Sequence, residues 1–296
     1  MRAGQILRRL WRGSTGRAGL IISAVVLLTA AVSLLWTPFD PVRVDVANAW
    51  TMPSWPHLLG TDQSGRDILS LVMAGARTTV IVAVGAAAVA AVLGVTLASV
   101  GALAARWVRE SVAVLVDILI AFPVLLIAMM ISAVWGGSLW VVIWAVGIGF
   151  GVNVARVTRP EIRRVLHTDF VLAGRASGLT SMQNLRRHLL PNVAPVFIVQ
   201  LSWGMAVAVL AEAGLSYLGV GAPITEASWG ALLKQLQQFI GTHPLAVLWP
   251  GLAISVTVWG FNVLGDAIRD AADPTLSDPS RAHRNSAHRH LPGVVA

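Results

Sequence analysis

The chain has 296 residues, of which 56% are hydrophobic and only 12% are charged, and its formal net charge is +8. An ordinary soluble domain is about 45–50% apolar and about 25% charged, so the composition excludes a soluble globular protein. The chain contains no cysteine, which excludes disulfides, thiolate metal sites and cysteine nucleophiles.

The apolar residues are concentrated in six long runs. A helix that crosses the hydrocarbon layer needs about 20 mostly apolar residues, and continuous rather than alternating runs favour helices over a barrel. We therefore predict an all-α integral membrane protein with six transmembrane helices. The runs are 20–36, 79–103, 112–134, 139–155, 195–215 and 245–263.

The N-terminal segment, residues 1–19, is basic and precedes the first apolar run. A secretory signal peptide has a similar basic front, but it ends in small residues at a cleavage site. The residues at the end of run 20–36 are Trp36-Thr37-Pro38-Phe39, and they provide no such cleavage site. The sequence therefore predicts an uncleaved first transmembrane helix.

The basic residues are distributed unevenly between the segments that connect the runs. Eighteen arginines lie in every second connecting segment, namely 1–19, 104–111, 156–194 and 264–296. The connecting segments on the opposite side of the membrane hold three arginines and the single lysine. Positive residues accumulate on the cytoplasmic side of membrane proteins. The charge thus predicts that both termini are cytoplasmic, and it does not indicate a nucleic-acid partner.

The long segment between the first two runs, residues 37–78, is predicted to be an external loop. Its four prolines argue against one continuous helix. Asp62, Arg66 and Asp67 form the charged part of this loop. They are candidates for an external docking surface, or alternatively for a structural cap of the second span.

The core, residues 79–268, contains a stripe of small residues and a few polar side chains. Small residues at every fourth position of the second run predict close packing of helices. Ionisable groups within spans are functional candidates. Asp117 and Glu212 either line a translocation path or are carboxylates paired with an arginine or a helix end; the weaker path candidates are Gln200, Trp203 and Asn262.

The predicted cytoplasmic segment 156–194 is amphipathic. Its apolar residues follow helical spacing and predict one narrow buried stripe. Thr180-Ser181-Met182-Gln183 reads as a capping box that opens a second short helix, and Pro191 is predicted to end it near Leu190. Thr168 or Asp169 would cap the first helix. The stripe comprises Leu172, Ala176, Leu179, Met182, Leu185 and Leu189.

Two short helices would therefore meet at a corner near Gly178. Such a segment could lie on anionic lipid, pack under the bundle, or dock into a groove of a cytoplasmic partner. The small residues Ala173, Gly174, Ala176 and Gly178 favour the close approach of another protein surface.

Several motifs in this sequence resemble those of one family, the permease subunits of ATP-binding-cassette importers. The positions of that family's Glu-Ala-Ala cytoplasmic loop are occupied here by Leu172-Ala173-Gly174, Gly178 and Leu190-Pro191. Four further stretches resemble the C-type subunits of dipeptide, oligopeptide and nickel permeases. They read LGTDQSGRDILS (59–70), AEAGLSYLGVG (211–221), SWGALL (228–233) and PGLAISVTVWGFNVLGDAIRDAADP (250–274).

The resemblance implies a type I importer permease (MetI-like) fold in the bacterial plasma membrane, with both termini inside. It implies four protein partners: a second homologous permease, two cytoplasmic ATPases and an external solute-binding lipoprotein. In this family the cytoplasmic loop couples the permease to the ATPases, and the segment 156–194 is therefore called the coupling loop below. The positions that match the coupling element are Leu172, Ala173, Gly174, Arg175, Gly178, Leu179, Thr180 and Ser181.

Two positions depart from the family pattern: Leu172 stands where the family has a glutamate, and Gly174 stands where it has its second alanine. The absence of the glutamate puts an anionic contact to the ATPase in doubt and leaves the corner at 178–181 intact. We hypothesise that Arg175 carries more of the docking charge.

The sequence contains no phosphate-binding P-loop, so ATP and Mg²⁺ are expected on the partner ATPases rather than on this chain. No catalytic motif indicates an enzyme, and no cofactor or metal site is predicted. The predicted cargo is an oligopeptide or dipeptide. The alternatives are nickel or another small solute, and a stand-alone secondary transporter. The tail 269–296 is predicted to be disordered, although its histidines offer metal ligands.

Overall fold

The computed structural model describes residues 10–11, 13–223 and 225–272. Within those ranges the regular structure is helical, apart from one isolated bridge between Thr61 and Asp67. Most of the basic segment 1–19 before Ser14, and the tail from residue 273 onward, lie outside the described residues. The helices are α1 (Ser14–Ser33), α2 (Ile68–Leu103), α3 (Arg106–Ala121), α4 (Val124–Trp135), α5 (Leu139–Leu166), α6 (Asp169–Ala176), α7 (Ser181–Asn184), α8 (Leu190–Leu218), α9 (Trp229–Leu236) and α10 (Pro244–Ala272).

The long helices match the predicted membrane spans. Five helical stretches are long and apolar enough to cross a bilayer, and α7 and α8 are joined in one of them, Ser181–Leu218. The pair α3 and α4 supplies a sixth span if it is counted as one. The prediction of an all-α membrane protein is confirmed.

The third predicted span, 112–134, is not a single helix. It is broken between α3 and α4, whose axes differ by 79°. Proline disfavours the helical conformation of the residue before it, and Phe122 is accordingly extended, with φ −90° and ψ 127°. Pro123 then precedes the first residue of α4. The proline therefore divides this span into two short helices.

Helix α2 begins eleven residues before the apolar run that predicted it. Its 36 residues make it about 54 Å long, whereas the hydrocarbon core is about 30 Å thick. The first turns lie within the segment predicted as external loop 37–78. They are helical because Asp67 caps the helix and because Ile68 and Leu71 are buried against Leu232 and Leu236 of α9.

The centre of the bundle is formed by α2 and α5, which pack closely through small residues. A methyl group added at Gly94 would lie 2.5 Å from Val154 of α5, and one added at Gly147 would lie 2.6 Å from Val89 of α2. Contacts this close require the absence of a side chain. The predicted role of the small-residue stripe in helix packing is confirmed. Its buried members in α2 are Ala86, Ala90, Gly94, Ala98 and Ala102.

Candidate functional site

The coupling loop contains the two short helices and the corner that the sequence predicts. Helix α6 ends at Ala176, and Gly178 has a positive φ of 88°, a conformation that glycine adopts without steric cost. Thr180 then caps α7: its hydroxyl accepts from the amide of Gln183, and the Gln183 side chain accepts from the amide of Thr180. The predicted capping box is confirmed.

The prediction that Pro191 ends the second helix is wrong. A π-helical turn, Leu185–Leu189, follows α7, and the chain continues directly into α8 with Pro191 in its first turn. The first amides of a helix need no partner within the helix, so proline is tolerated there. The side-chain amide of Asn192 donates to the carbonyl of His188 over 2.6 Å. The coupling loop is therefore continuous with a transmembrane helix.

The single apolar stripe predicted across the coupling loop is also wrong. Leu185 and Leu189 are buried as expected, but Leu172 and Met182 are 47% and 58% exposed. In α6 the buried residue is Val171 instead. The corner at Gly178 changes the direction of the chain, so a periodicity counted through it does not describe one face.

The buried residues of the coupling loop pack on the ends of two transmembrane helices. Val171, Leu185 and Leu189 form one apolar cluster with residues of α2 and α5. The members from those helices are Ala98, Ala102, Ala155, Ile162, Val165 and Leu166. A displacement of the coupling loop would consequently move α2 and α5 with it, because close-packed interiors transmit strain.

Gly174 allows α6 to approach α7 closely. A methyl group at this position would lie 2.8 Å from Oδ1 of Asn184 and 3.2 Å from Leu179. Asn184 is itself buried, and its side-chain nitrogen donates to the carbonyl of Leu179 over 3.4 Å. Glycine in place of the family's alanine therefore suits the packing behind the corner.

The two helices that flank the corner expose several apolar side chains. Phe170 and Leu172 of α6 and Met182 of α7 are all exposed, beside the exposed Asp169 at the start of α6. Exposed apolar residues with polar neighbours are typical of a protein interaction surface. At Leu172, such a surface offers apolar contact where the family has a glutamate.

Arg159 ties α5 to the ends of α2 and α3. Its Nε donates to the carbonyl of Gly101 over 2.9 Å, and its terminal nitrogen donates to the carbonyl of Arg109 over 3.4 Å. These carbonyls belong to the last turn of α2 and to α3. Hydrogen bonds from a cation to helix carbonyls are among the stronger ones in proteins. The three helix ends nearest the coupling loop are therefore held together.

Glu212 does not lie on an exposed surface where it would line a path. Its side chain is fully buried in α8, and Oε1 accepts from the hydroxyl of Ser216 over 2.8 Å and from that of Ser228 over 2.7 Å. Ser228 also caps α9 by accepting from the amide of Ala231. The expected alternative of a carboxylate paired with a helix end is confirmed, because Ser228 is the capping residue of α9.

The other path candidates are not gathered in one cavity. Asp117 is exposed on α3, whereas Gln200 and Asn262 are half-buried on α8 and α10. Trp203 packs against α10, where a methyl group at Gly265 would lie 2.9 Å from its ring. None of these residues lines the two cavities described below. Their place in a translocation path stays a prediction.

The charged residues of the external loop form a buried structural motif. Asp62 accepts from the amides of Ser64 and Arg66 and is paired with the Arg66 guanidinium at 2.6 Å. Asp67 accepts from the amide and hydroxyl of Ser70 and contacts His57 at 3.0 Å. The helix cap is confirmed. The side chains of Asp62 and Asp67 are buried, and docking of a partner on this loop stays a prediction.

Replacing Asp67 with alanine is expected to lower the free energy of unfolding by about 2 kcal/mol, because the start of α2 loses its cap and Ser70 loses a buried partner. Thermal unfolding of the purified protein in detergent measures this loss. Asp40→Ala is the matched control, since Asp40 is exposed in the same loop. Unchanged stability of Asp67→Ala with lost capture of a binding protein would instead support docking.

An external cavity of about 600 Å³ lies between the external loop and α9. Arg66, Glu226 and Lys234 contribute charge to its wall, and Arg66 also donates to Gln235 over 2.9 Å. Of these only Arg66 was a candidate in the sequence. Lys234 and Gln235 directly follow the SWGALL stretch, so that motif marked the region without revealing the cavity.

The chain is similar to known transport proteins over most of its length. A sequence model described as a binding-protein-dependent transport system inner membrane component matches residues 90–278. A Brucella suis protein named as a peptide transport system permease is 35% identical over 272 residues, which cover 91% of this chain and 90% of that protein.

Two further relatives carry different cargo names. The dipeptide transport system permease protein DppC of Alkalihalophilus pseudofirmus is 34% identical, with 92% of this chain and 90% of that protein covered. The nickel transport system permease protein NikC of Escherichia coli is 33% identical, with 88% and 94% covered. The chain therefore belongs to the family of inner membrane permease components of binding-protein-dependent transport systems.

Proposed function

We propose that this chain forms half of the translocation pore of an ATP-driven importer of oligopeptides or dipeptides. The observation that carries the proposal is the coupling loop: a glycine corner with an exposed apolar face, packed from behind on α2 and α5. Peptide cargo is supported by the names of the Brucella and Alkalihalophilus relatives. The other half of the pore would be a second, homologous permease.

The proposed orientation places both termini and the coupling loop in the cytoplasm. The excess of arginine in the segments on that side supports it. Two ATPases would then bind the coupling loop, and an external solute-binding lipoprotein would deliver the cargo to the opposite face. ATP hydrolysis and its Mg²⁺ are assigned to the ATPases, and this chain transmits their closure to the spans.

Nickel or another small solute is the second candidate for the cargo. It is supported by the nickel permease of Escherichia coli, whose identity to this chain is close to that of the peptide permeases. The discriminating measurement is uptake of labelled dipeptide and of ⁶³Ni²⁺ by cells with and without the gene.

Co-purification of the tagged chain from its native membrane, followed by mass spectrometry, tests the assembly. We expect to recover two ATPases, a second permease and a solute-binding lipoprotein, none of which should be recovered from an untagged strain. Recovery of this chain alone, as a homo-oligomer without any ATPase, would contradict the proposed function and would favour ion-driven transport.

Replacing Arg175 with alanine is expected to reduce recovery of the ATPases about tenfold, because the variant loses one charge-assisted hydrogen bond to them. Arg175 is exposed at the end of α6 beside the corner. The matched control is Arg187→Ala, an exposed arginine of the same loop beyond the corner. Undiminished ATPase recovery and uptake by Arg175→Ala would rule out its part in docking.

A further inference from the structure

A cavity of about 480 Å³ lies behind the coupling loop, between that loop and the ends of three transmembrane helices. Its polar wall combines Arg109 of α3, Arg163 and His167 at the end of α5, and Arg175 and Ser181 from the two sides of the corner. The remaining wall is apolar and comes from the ends of α2 and α5. The cavity thus joins the coupling loop to the bundle.

The cavity is cationic, and the described residues that line it include no carboxylate. None of its three arginines forms an ion pair with another residue of the described ranges. Two nearby acids, Glu110 and Glu161, are paired with other arginines, which lie outside the cavity. A third, Asp117, interacts electrostatically with Arg159, which adjoins Arg109 and Arg163. Arginines gathered without counter-charge repel one another, and a bound anion would relieve that repulsion.

One arginine of the wall carries an unsatisfied donor. Nε of Arg109 is buried and has no hydrogen-bond partner within the described residues. A buried donor without an acceptor is destabilising, and a bound acceptor oxygen would remove that cost. Guanidinium groups match the geometry of phosphate oxygens, and the Ser181 hydroxyl adds a further donor.

The position of the cavity favours a phosphate carried by lipid. Its apolar wall is built from the ends of membrane spans, and Trp107, two residues before Arg109, is 73% exposed. Tryptophan is enriched at the level of the lipid headgroups, and basic pockets at the cytoplasmic ends of transmembrane helices bind anionic headgroups.

We propose that this cavity binds a phosphate group, presented by the headgroup of an anionic phospholipid. The ligand would bridge Arg109 and Arg163 of the bundle to Ser181 of the corner, and would hold the coupling loop against the spans. This binding goes beyond the transport function proposed above, and it does not depend on which solute is carried.

Lipid binding by the full-length protein tests the proposal directly. The chain is purified in zwitterionic detergent, stripped of lipid and titrated with phosphatidylglycerol, phosphatidylcholine or inorganic phosphate, and bound lipid is counted by native mass spectrometry. Saturable binding of phosphatidylglycerol over phosphatidylcholine is expected. Displacement of that lipid by comparable concentrations of inorganic phosphate would assign the site to a soluble phosphate compound instead of a headgroup.

The decisive variant is Arg109→Gln with Arg163→Gln. Each basic residue near a membrane contributes about 1 kcal/mol of attraction to anionic lipid, so we expect affinity for phosphatidylglycerol to fall at least about tenfold. Arg175 is left unchanged because of its proposed part in docking. The matched control, Arg186→Gln with Arg187→Gln, removes the same charge from exposed positions outside the cavity and is expected to retain the affinity.

A charge-conserving variant, Arg109→Lys with Arg163→Lys, separates lost binding from lost folding. It keeps the positive charge without the forked geometry, and we expect it to bind better than the glutamine variant. An equal loss of affinity in the glutamine variant and its control, or no saturable binding of any phosphate compound by the wild type, would overturn the proposal.

Discussion

Replacing Gly178 with valine is expected to reduce ATP-driven uptake by about fivefold to thirtyfold, while the protein remains folded in the membrane. The φ of Gly178 is 88°, and a side chain in this region costs about 1–2 kcal/mol, most for a β-branched residue. That cost lowers the equilibrium constant for the native corner by the same factor. Uptake of labelled dipeptide and recovery of the ATPases measure it.

Gly178→Asn is the matched comparison, because asparagine is close to valine in size but tolerates a left-handed backbone. No atom lies within 4 Å of a methyl group added at Gly178, so neither side chain should clash. We expect the asparagine variant to keep most of the uptake. An equal loss in both variants would show that the partner needs an empty surface there, rather than this backbone conformation.

Replacing Glu212 with alanine is expected to lower the free energy of unfolding by about 2–4 kcal/mol, because a buried side chain is removed and two buried hydroxyls lose their acceptor. The hydroxyls belong to Ser216 and Ser228, and that of Ser216 also accepts from the amide of Ala222. The loss should therefore loosen the segment between α8 and α9, which limited proteolysis and thermal unfolding would detect.

Glu212→Gln separates hydrogen bonding from charge. The carbonyl oxygen of glutamine can accept from the same two hydroxyls, so we expect most of the stability to return. Glu226→Ala is the control, since Glu226 lies in the same external segment without a side-chain hydrogen bond to another described residue. If glutamine is as destabilising as alanine, the negative charge itself is required at position 212.

Most of the fold could be predicted from the sequence, because apolar length alone defines a membrane span. The corner of the coupling loop was also predictable, since Gly178 and the Thr180–Gln183 capping box are local signals that act within four residues. The break at Pro123 was a weaker signal: a proline inside an apolar run permits either a kinked helix or two separate ones.

The remaining features depend on contacts between distant residues. Pro191 ends a helix or begins one according to the turn that precedes it, and a π turn has no reliable sequence signal. The partner of Glu212 is Ser228, sixteen residues away across a loop. The basic cavity brings together Arg109, Arg163 and Arg175 from three helices. Only the tertiary structure places these groups together.

Helix α2 is unbroken over its whole length, so it can move as one rigid body that connects the two faces of the membrane. One end packs against the coupling loop through Ala98 and Ala102. At the other end, the ring nitrogen of Trp229 donates to the carbonyl of Val72 over 2.8 Å. A tilt of about 10° would swing one end of a helix about 54 Å long by about 9 Å relative to the other. In the proposed function, a small displacement of the corner at Gly178 would thus become a large displacement at the cavity beside α9.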